Sequence, residues 1–179
     1  MVPVTAGRVR PPPIAREVRP MARRLRSVDL DFVRTAPLRL VFAAEASAAP
    51  TVVYRALAEE VDGWPSWFTA VTAARSTGAG AGREIRLKGG TVFHETIVAK
   101  EPGERYAYRV DETNAPALQA LLEEWRLAPT ATGTRVQWTF AADGPAAFRY
   151  VLRLGRPALG RAFRDAVRNL DKRLAAASA

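Results

Sequence analysis

The sequence predicts an α+β fold in which an antiparallel sheet is followed by one long C-terminal helix. Short glycine-containing turns separate apolar-alternating runs between residues 71 and 142, which is typical of consecutive antiparallel strands. Beyond residue 143 the pattern changes to an apolar stripe with helical spacing. A chain of 179 residues is long enough to bury a substantial single core.

The elements before the sheet are a strand and a short helix. Leu38–Ala44 is rich in β-forming residues and predicts the first strand. Pro50 suits the first position of a helix, where its missing N–H needs no partner, and we expect this helix to reach about Glu60. The Trp64–Trp67 segment, with sequence WPSW, then predicts a tight aromatic turn.

Three turns define the meander. Gly89 and Gly90 supply the positive φ angles of a hairpin turn between Arg83–Leu87 and Val92–Lys100. Pro102 and Gly103 occupy the central positions of a type II turn before the next strand. We expect the remaining strands at Arg105–Asp111, at the end of Leu118–Leu127 and, after Thr132-Gly133, at Thr134–Ala141.

The C-terminal segment predicts a helix in two pieces. Gly155-Arg156-Pro157 interrupts it, so residues 145–156 form a lid-like piece and the main helix begins near Pro157. The main helix presents an apolar stripe made of Leu159, Phe163, Val167, Leu170 and Leu174.

The net charge of +9 is concentrated at the two ends of the chain. Residues 1–26 carry seven arginines and one glutamate, and residues 149–173 carry eight basic and two acidic residues. Residues 1–27, rich in proline and arginine, are expected to be a disordered basic tail, with the folded domain at 28–179. Met21 is a candidate initiator within that tail. The basic ends carry no nucleic-acid motif, so we expect no specific nucleic-acid partner.

The composition excludes several kinds of chemistry. The chain has no cysteine, which rules out disulfides, thiolate catalysis and cysteine-bound metals, and it has one histidine. We therefore expect no cofactor and no metal. Apolar runs are too short for a membrane span, and we expect a cytoplasmic protein.

The serial order of these elements resembles the START-like (SRPBCC) superfamily, in particular its polyketide cyclase/dehydrase and lipid transport branch. The resemblance covers residues 38–175. It lies in Glu45–Pro50, the Trp64–Trp67 turn, the Glu101–Arg105 turn, Gly133–Val136 and the closing amphipathic helix. It implies a helix-grip fold, in which about seven strands curl around the C-terminal helix and leave an apolar cavity, with two short helices after the first strand.

The resemblance implies binding of a small hydrophobic molecule between sheet and helix, because ligand pockets are mainly apolar and aromatic. A polyketide cyclase or dehydratase and an interaction module with a collapsed cavity are the alternatives. Eight aromatic residues are expected to line the site: Trp67, Phe68, Phe93, Tyr106, Tyr108, Trp125, Trp138 and Phe163.

Acid–base chemistry has three candidate residues, Glu95, Tyr108 and Arg126. His94 and Glu95 are adjacent in a predicted strand, so their side chains point to opposite faces and cannot form a local pair. If Phe93 faces the interior, Glu95 does too and His94 faces outward. Pairing of Glu95 with Arg86 or Arg126 is the purely structural alternative.

Overall fold

A computed structural model describes residues 22–177, and its centre is a curved antiparallel sheet. The predictions for residues 1–21, including Met21 as initiator, lie outside the described residues. The strands are β1 (Arg23–Arg24), β2 (Leu38–Ala46), β3 (Val71–Thr77), β4 (Gly82–Leu87), β5 (Val92–Glu101), β6 (Arg105–Thr113), β7 (Ala120–Thr130) and β8 (Gly133–Asp143).

The strand order is β2-β8-β7-β6-β5-β4-β3, with the short β1 paired to β6 beside this path. Consecutive strands from β3 to β8 are therefore neighbours, as the meander predicted, and β2 closes the far edge against β8. Register shifts in β5 and β3 are β-bulges, which bend the strands and help the sheet to curve.

The predicted turns form as their residues require. Gly89 and Gly90 have φ of 86° and 85°, and Gly103 has φ of 75°. The Glu104 amide donates to the Glu101 carbonyl at 3.0 Å, which closes the second turn. The ambiguous stretch before Leu127 is strand from Ala120 onwards.

The helices are α1 (Phe32–Thr35), α2 (Pro50–Ala58), α3 (Ala146–Leu154) and α4 (Arg156–Ala177), with 3₁₀ turns at Val61–Ser66 and Gly78–Gly80. Pro50 begins α2 as predicted, and the WPSW segment forms the second half of the first 3₁₀ turn and the residue after it. Gly155 separates α3 from α4, which confirms the predicted interruption. The predicted stripe of α4 faces the sheet, with Phe163, Val167 and Leu170 buried.

The N-terminal segment joins the sheet beside β6 and then covers its outer face. From the sequence, residues 22–27 are expected in the basic tail, whereas in the structure β1 pairs with β6 and Leu25 packs against the main core. Phe32 and Val33 of α1 form a second cluster with Leu122 and Ala141. This layer covers apolar residues that would otherwise be exposed on the outer face.

Candidate site in the aromatic interior

The space between the sheet and α4 is filled by aromatic side chains. Six of the eight predicted lining residues are buried, and Phe68 and Phe93 are partly buried against the same cluster. The rings of Trp125 and Trp138 stack with centroids 5.8 Å apart, and Phe163 of α4 lies 5.9 Å from each. The structure thus brings all eight residues together, and their role in binding remains a prediction.

A buried ion pair lies inside this aromatic cluster. Arg83 of β4 and Glu95 of β5 are register partners, and the Arg83 Nε donates to a Glu95 carboxylate oxygen. Both side chains are only 2% exposed. The guanidinium lies over the rings of Tyr108, at 3.6 Å from the centroid, and Trp64, at 4.1 Å. Cation–π attraction of this kind strengthens when water is excluded.

A second buried carboxyl group, Glu123, is held by a chain of hydrogen bonds. The Tyr108 hydroxyl donates to Glu123 Oε2 at 2.8 Å, and the Trp138 Nε1 donates to the same oxygen at 3.0 Å. The Trp125 Nε1 in turn donates to the Tyr108 hydroxyl at 2.9 Å. Three aromatic residues that were predicted to line the site therefore also orient this carboxyl group.

Among the described residues, the interior holds one cation, Arg83, and two carboxyl groups, Glu95 and Glu123. Burial raises the pKa of Glu95 to about 7, because the attraction of Arg83 only partly compensates and Glu123 adds repulsion. Burial also raises the pKa of Glu123, against the lowering effect of its hydrogen bonds. Burial alone would lower the pKa of Arg83, but the Glu95 carboxylate together with Tyr108 and Tyr106 more than offsets this, and the pKa rises. The Arg83 guanidinium neutralises one of the two carboxylates. The cluster therefore favours a state in which the other carboxyl group is protonated.

The pKa of the Tyr108 hydroxyl is raised well above its ordinary value, first by burial and then by Glu123. Tyr108 is therefore a neutral hydrogen-bond donor at neutral pH. It can hold or pass a proton at its hydroxyl oxygen, but it does not add a negative charge to the cluster.

Two buried N–H donors in this interior have no hydrogen-bond partner among the described residues. They are the Trp67 Nε1 and the Arg83 Nη1. Both side chains contact Trp64, since the Trp64 and Trp67 ring centroids are 4.8 Å apart and Arg83 lies over the Trp64 ring. Buried donors are nearly always satisfied, so each unpaired one calls for an explanation.

The acid–base candidates divide between the two faces of the sheet. Glu95 and Tyr108 lie in the interior, and His94 is 45% exposed on the other side, next to Glu84. Arg126 is not brought to them: it pairs with Glu124 at 3.1 Å and borders an open cleft of about 420 Å³ with Arg105 and Arg135. Glu95 pairs with Arg83, so neither Arg86 nor Arg126, the partners considered from sequence, is its partner.

The sequence analysis missed Arg83 and Glu123. Strand alternation could have found both, because alternate residues of a strand point to the same face. Arg83 is two residues from the buried Ile85, and Glu123 lies between the buried Leu121 and Trp125 on the same face of its strand. Their charge made them look like surface residues, since Arg and Glu are rarely buried unless paired.

The fold and this interior define a START-like protein of the helix-grip type. The family model described as polyketide cyclase / dehydrase and lipid transport matches residues 38–175. The chain belongs to this family. Fold and family together place it among hydrophobic-ligand-binding or polyketide-cyclase-like proteins.

Similar proteins agree with this placement. An uncharacterised protein of Mycobacterium tuberculosis is 35% identical over 161 residues, covering 84% of this chain and 95% of the relative. The aromatase/cyclase Zhui of Streptomyces sp. R1128 has a similar structure, with a TM-score of 0.63, 18% identity and coverage of 75% of this chain and 93% of Zhui. A START superfamily protein of Mycobacterium smegmatis gives a TM-score of 0.57 at 11% identity, covering 74% and 98%. At these identities the structures show a shared fold.

Proposed function

We propose that the chain binds a small, largely aromatic molecule that carries at least one hydrogen-bond-accepting oxygen, in the interior between the sheet and α4. The two unpaired donors, Trp67 Nε1 and Arg83 Nη1, are the observation that carries this proposal. A buried donor without a partner costs about 1–3 kcal/mol, and a ligand oxygen that accepts from such a donor recovers that free energy.

The surroundings of the two donors support an aromatic ligand. Trp64, Trp125 and Phe163 present ring faces and edges, which pack well against a further ring. Polar groups are few and fixed, as in ordinary ligand pockets, where they set orientation and specificity. The ligand oxygen is an acceptor, since the groups that need a partner are both donors.

Entry of the ligand requires movement, because aromatic side chains fill the interior. The α3 segment has few core contacts to break: it has no fully buried residue and packs against the core through the partly buried Phe148 and Leu152. We assign α3 the role of the gate. This agrees with the lid-like piece predicted from the sequence.

The proposal is tested by calorimetry with 1-naphthol and its oxygen-free analogue naphthalene. Wild-type protein should prefer 1-naphthol, and Trp67→Phe should lower that preference about fivefold, the equivalent of one hydrogen bond of about 1 kcal/mol. Trp64→Phe is the matched control, since its Nε1 already donates to the Leu57 carbonyl at 3.0 Å. The control should weaken both probes alike and leave the preference unchanged. An unchanged preference in Trp67→Phe would refute the assignment of this donor to the ligand.

Acid–base catalysis is the second candidate function, favoured by one observation. Glu95, with a pKa near 7, lies in the same buried cluster as the proton-donating Tyr108. A group of that pKa can take and return a proton at neutral pH, as a cyclase or dehydratase requires. Turnover of a linear poly-β-ketone thioester, with a rate that rises through about pH 7 and loses that rise in Glu95→Gln, would support it. Absence of turnover by protein that binds 1-naphthol would favour a binding protein.

A further inference from the structure

We propose that the outer face of α3, together with the exposed arginines of α4, docks on an anionic lipid surface. Tyr150, Val151 and Leu154 are the large apolar side chains that remain exposed in residues 22–177, at 61%, 64% and 64%. Single exposed apolar residues are ordinary, but these three are neighbours on one side of one helix, at i, i+1 and i+4. We call them the α3 ridge.

The α3 ridge is not needed for the core. The core contacts of α3 are made by Phe148 and Leu152 instead. The ridge therefore widens the apolar face of α3 beyond the part that packs on the core, and it has no partner within the described chain. Arg149 and Arg153 form the polar face of the helix.

Basic residues continue from the ridge along α4. Gly155 separates α3 from α4, and Arg161 and Arg164 follow it in the N-terminal half of α4. Both are exposed, and neither forms an ion pair with a carboxylate of residues 22–177. The segment 149–173 as a whole has eight basic and two acidic residues.

The positive charge of this surface indicates which kind of partner binds it. A second copy of the chain would bring two strongly basic segments together, which like-charge repulsion opposes. The N-terminal 21 residues carry four arginines and one glutamate and are opposed for the same reason. An acidic protein would need carboxylates at matching positions, whereas lipid phosphates in a fluid surface can adjust to any arrangement of arginines. Apolar side chains beside basic ones, with a tyrosine among them, are typical of helices that lie in a membrane interface.

Vesicle flotation of the full chain tests the proposal, with phosphatidylcholine vesicles that contain or lack phosphatidylglycerol. Wild type should bind only in the presence of phosphatidylglycerol. The ridge variant Tyr150→Gln/Val151→Gln/Leu154→Gln should bind at least about tenfold more weakly, with an unchanged unfolding midpoint because all three residues are exposed. The variant Arg161→Gln/Arg164→Gln should also bind at least about tenfold more weakly, since each arginine near an anionic surface contributes about fivefold.

The matched control is Arg55→Gln/Arg135→Gln, which removes the same charge from exposed positions elsewhere, on α2 and β8. It should bind as wild type does. If the control and the Arg161→Gln/Arg164→Gln variant lost the same vesicle affinity, the effect would depend only on net charge. That result would overturn the proposal. So would full binding by the ridge variant, or a concentration-dependent dimer that the ridge variant abolishes. Failure of wild type to bind these vesicles overturns it too, including where the chain binds an acidic polypeptide such as polyglutamate instead.

Discussion

Arg83 is the residue on which the buried charges depend. Within residues 22–177 it is the one cation in contact with Glu95, and removing it leaves two buried carboxyl groups without a counter-charge. Breaking a buried pair by removing one partner typically costs 3–5 kcal/mol, more than the pair itself contributes.

We therefore expect Arg83→Met to lower the free energy of unfolding by about 3–5 kcal/mol, and Arg83→Met/Glu95→Leu to recover a large part of that loss. Urea unfolding followed by tryptophan fluorescence measures both variants. If the single variant were as stable as wild type, the pair would not be buried as described.

The proton on Glu95 gives the stability of the folded chain a distinct pH dependence. Its pKa is about 7 when folded, against an ordinary value of 4.5. Because the folded chain binds this proton more tightly than the unfolded chain, the stabilisation is fully present below about pH 4.5. It is lost as the pH rises through about 7.

The expected result is a free energy of unfolding that falls between pH 5 and 7.5 by up to about 3 kcal/mol, with Glu123 acting in the same direction. Glu95→Gln should flatten this slope, since the amide does not titrate. Urea titrations at a series of pH values measure this free energy of unfolding. A free energy of unfolding that rises with pH across this window would contradict the raised pKa of Glu95.

At the scale of elements, the turn between β7 and β8 has the strictest requirement for glycine. Gly133 has φ of 150°, and a methyl group there would overlap the Ala46 carbonyl oxygen and the backbone of Ser47. The same turn therefore also positions the end of β2, where the chain enters α2.

Gly133→Ala should lower the free energy of unfolding by more than about 2 kcal/mol, because backbone atoms must move. Gly89→Ala is the control: its φ is 86° but its added methyl meets open space. It should cost only the local backbone strain, about 1–2 kcal/mol. Equal costs for the two substitutions in thermal unfolding would mean that β2 tolerates displacement at this contact.

The meander, α2 and α4 could be predicted because their signals are local. Turn glycines such as Gly103, the proline at Pro50 and the stripe around Phe163 need no knowledge of distant partners. The shared face of Tyr106 and Tyr108 followed from strand alternation for the same reason, and the role of the aromatic residues in binding stays a prediction. Arg83 and Glu123 needed long-range information, since only their pairing across the sheet makes burial of their charges acceptable.

β1 and α1 could not be predicted for a related reason. Phe32 and Val33 become part of a core only because Leu122 and Ala141 point to the outer face of β7 and β8. A four-residue helix has no periodicity to detect, and a two-residue strand has no alternation. Residues near a basic tail thus form a second, smaller core that closes the convex side of the sheet.

In the molecule as a whole, two separate regions carry the two proposed roles. The interior carries the proposed ligand site, with its charges buried behind aromatic rings. The α3–α4 side carries the proposed lipid-facing surface, and α3 belongs to both as gate and ridge. A ligand rich in aromatic rings dissolves readily in a bilayer, so docking there would shorten its path to the interior. Across residues 22–177, none of the helices is both long and apolar enough to span a membrane.

Native mass spectrometry of the full chain, purified from its own host, is the decisive experiment on ligand binding in the interior. We expect a non-covalent adduct that is released on denaturation and contains oxygen. Its occupancy should fall in Trp67→Phe, which lacks one of the two unpaired donors, and less so in Trp64→Phe, whose donor is already bonded. A wild-type chain that carries no adduct, or an adduct retained equally in both variants, would contradict it.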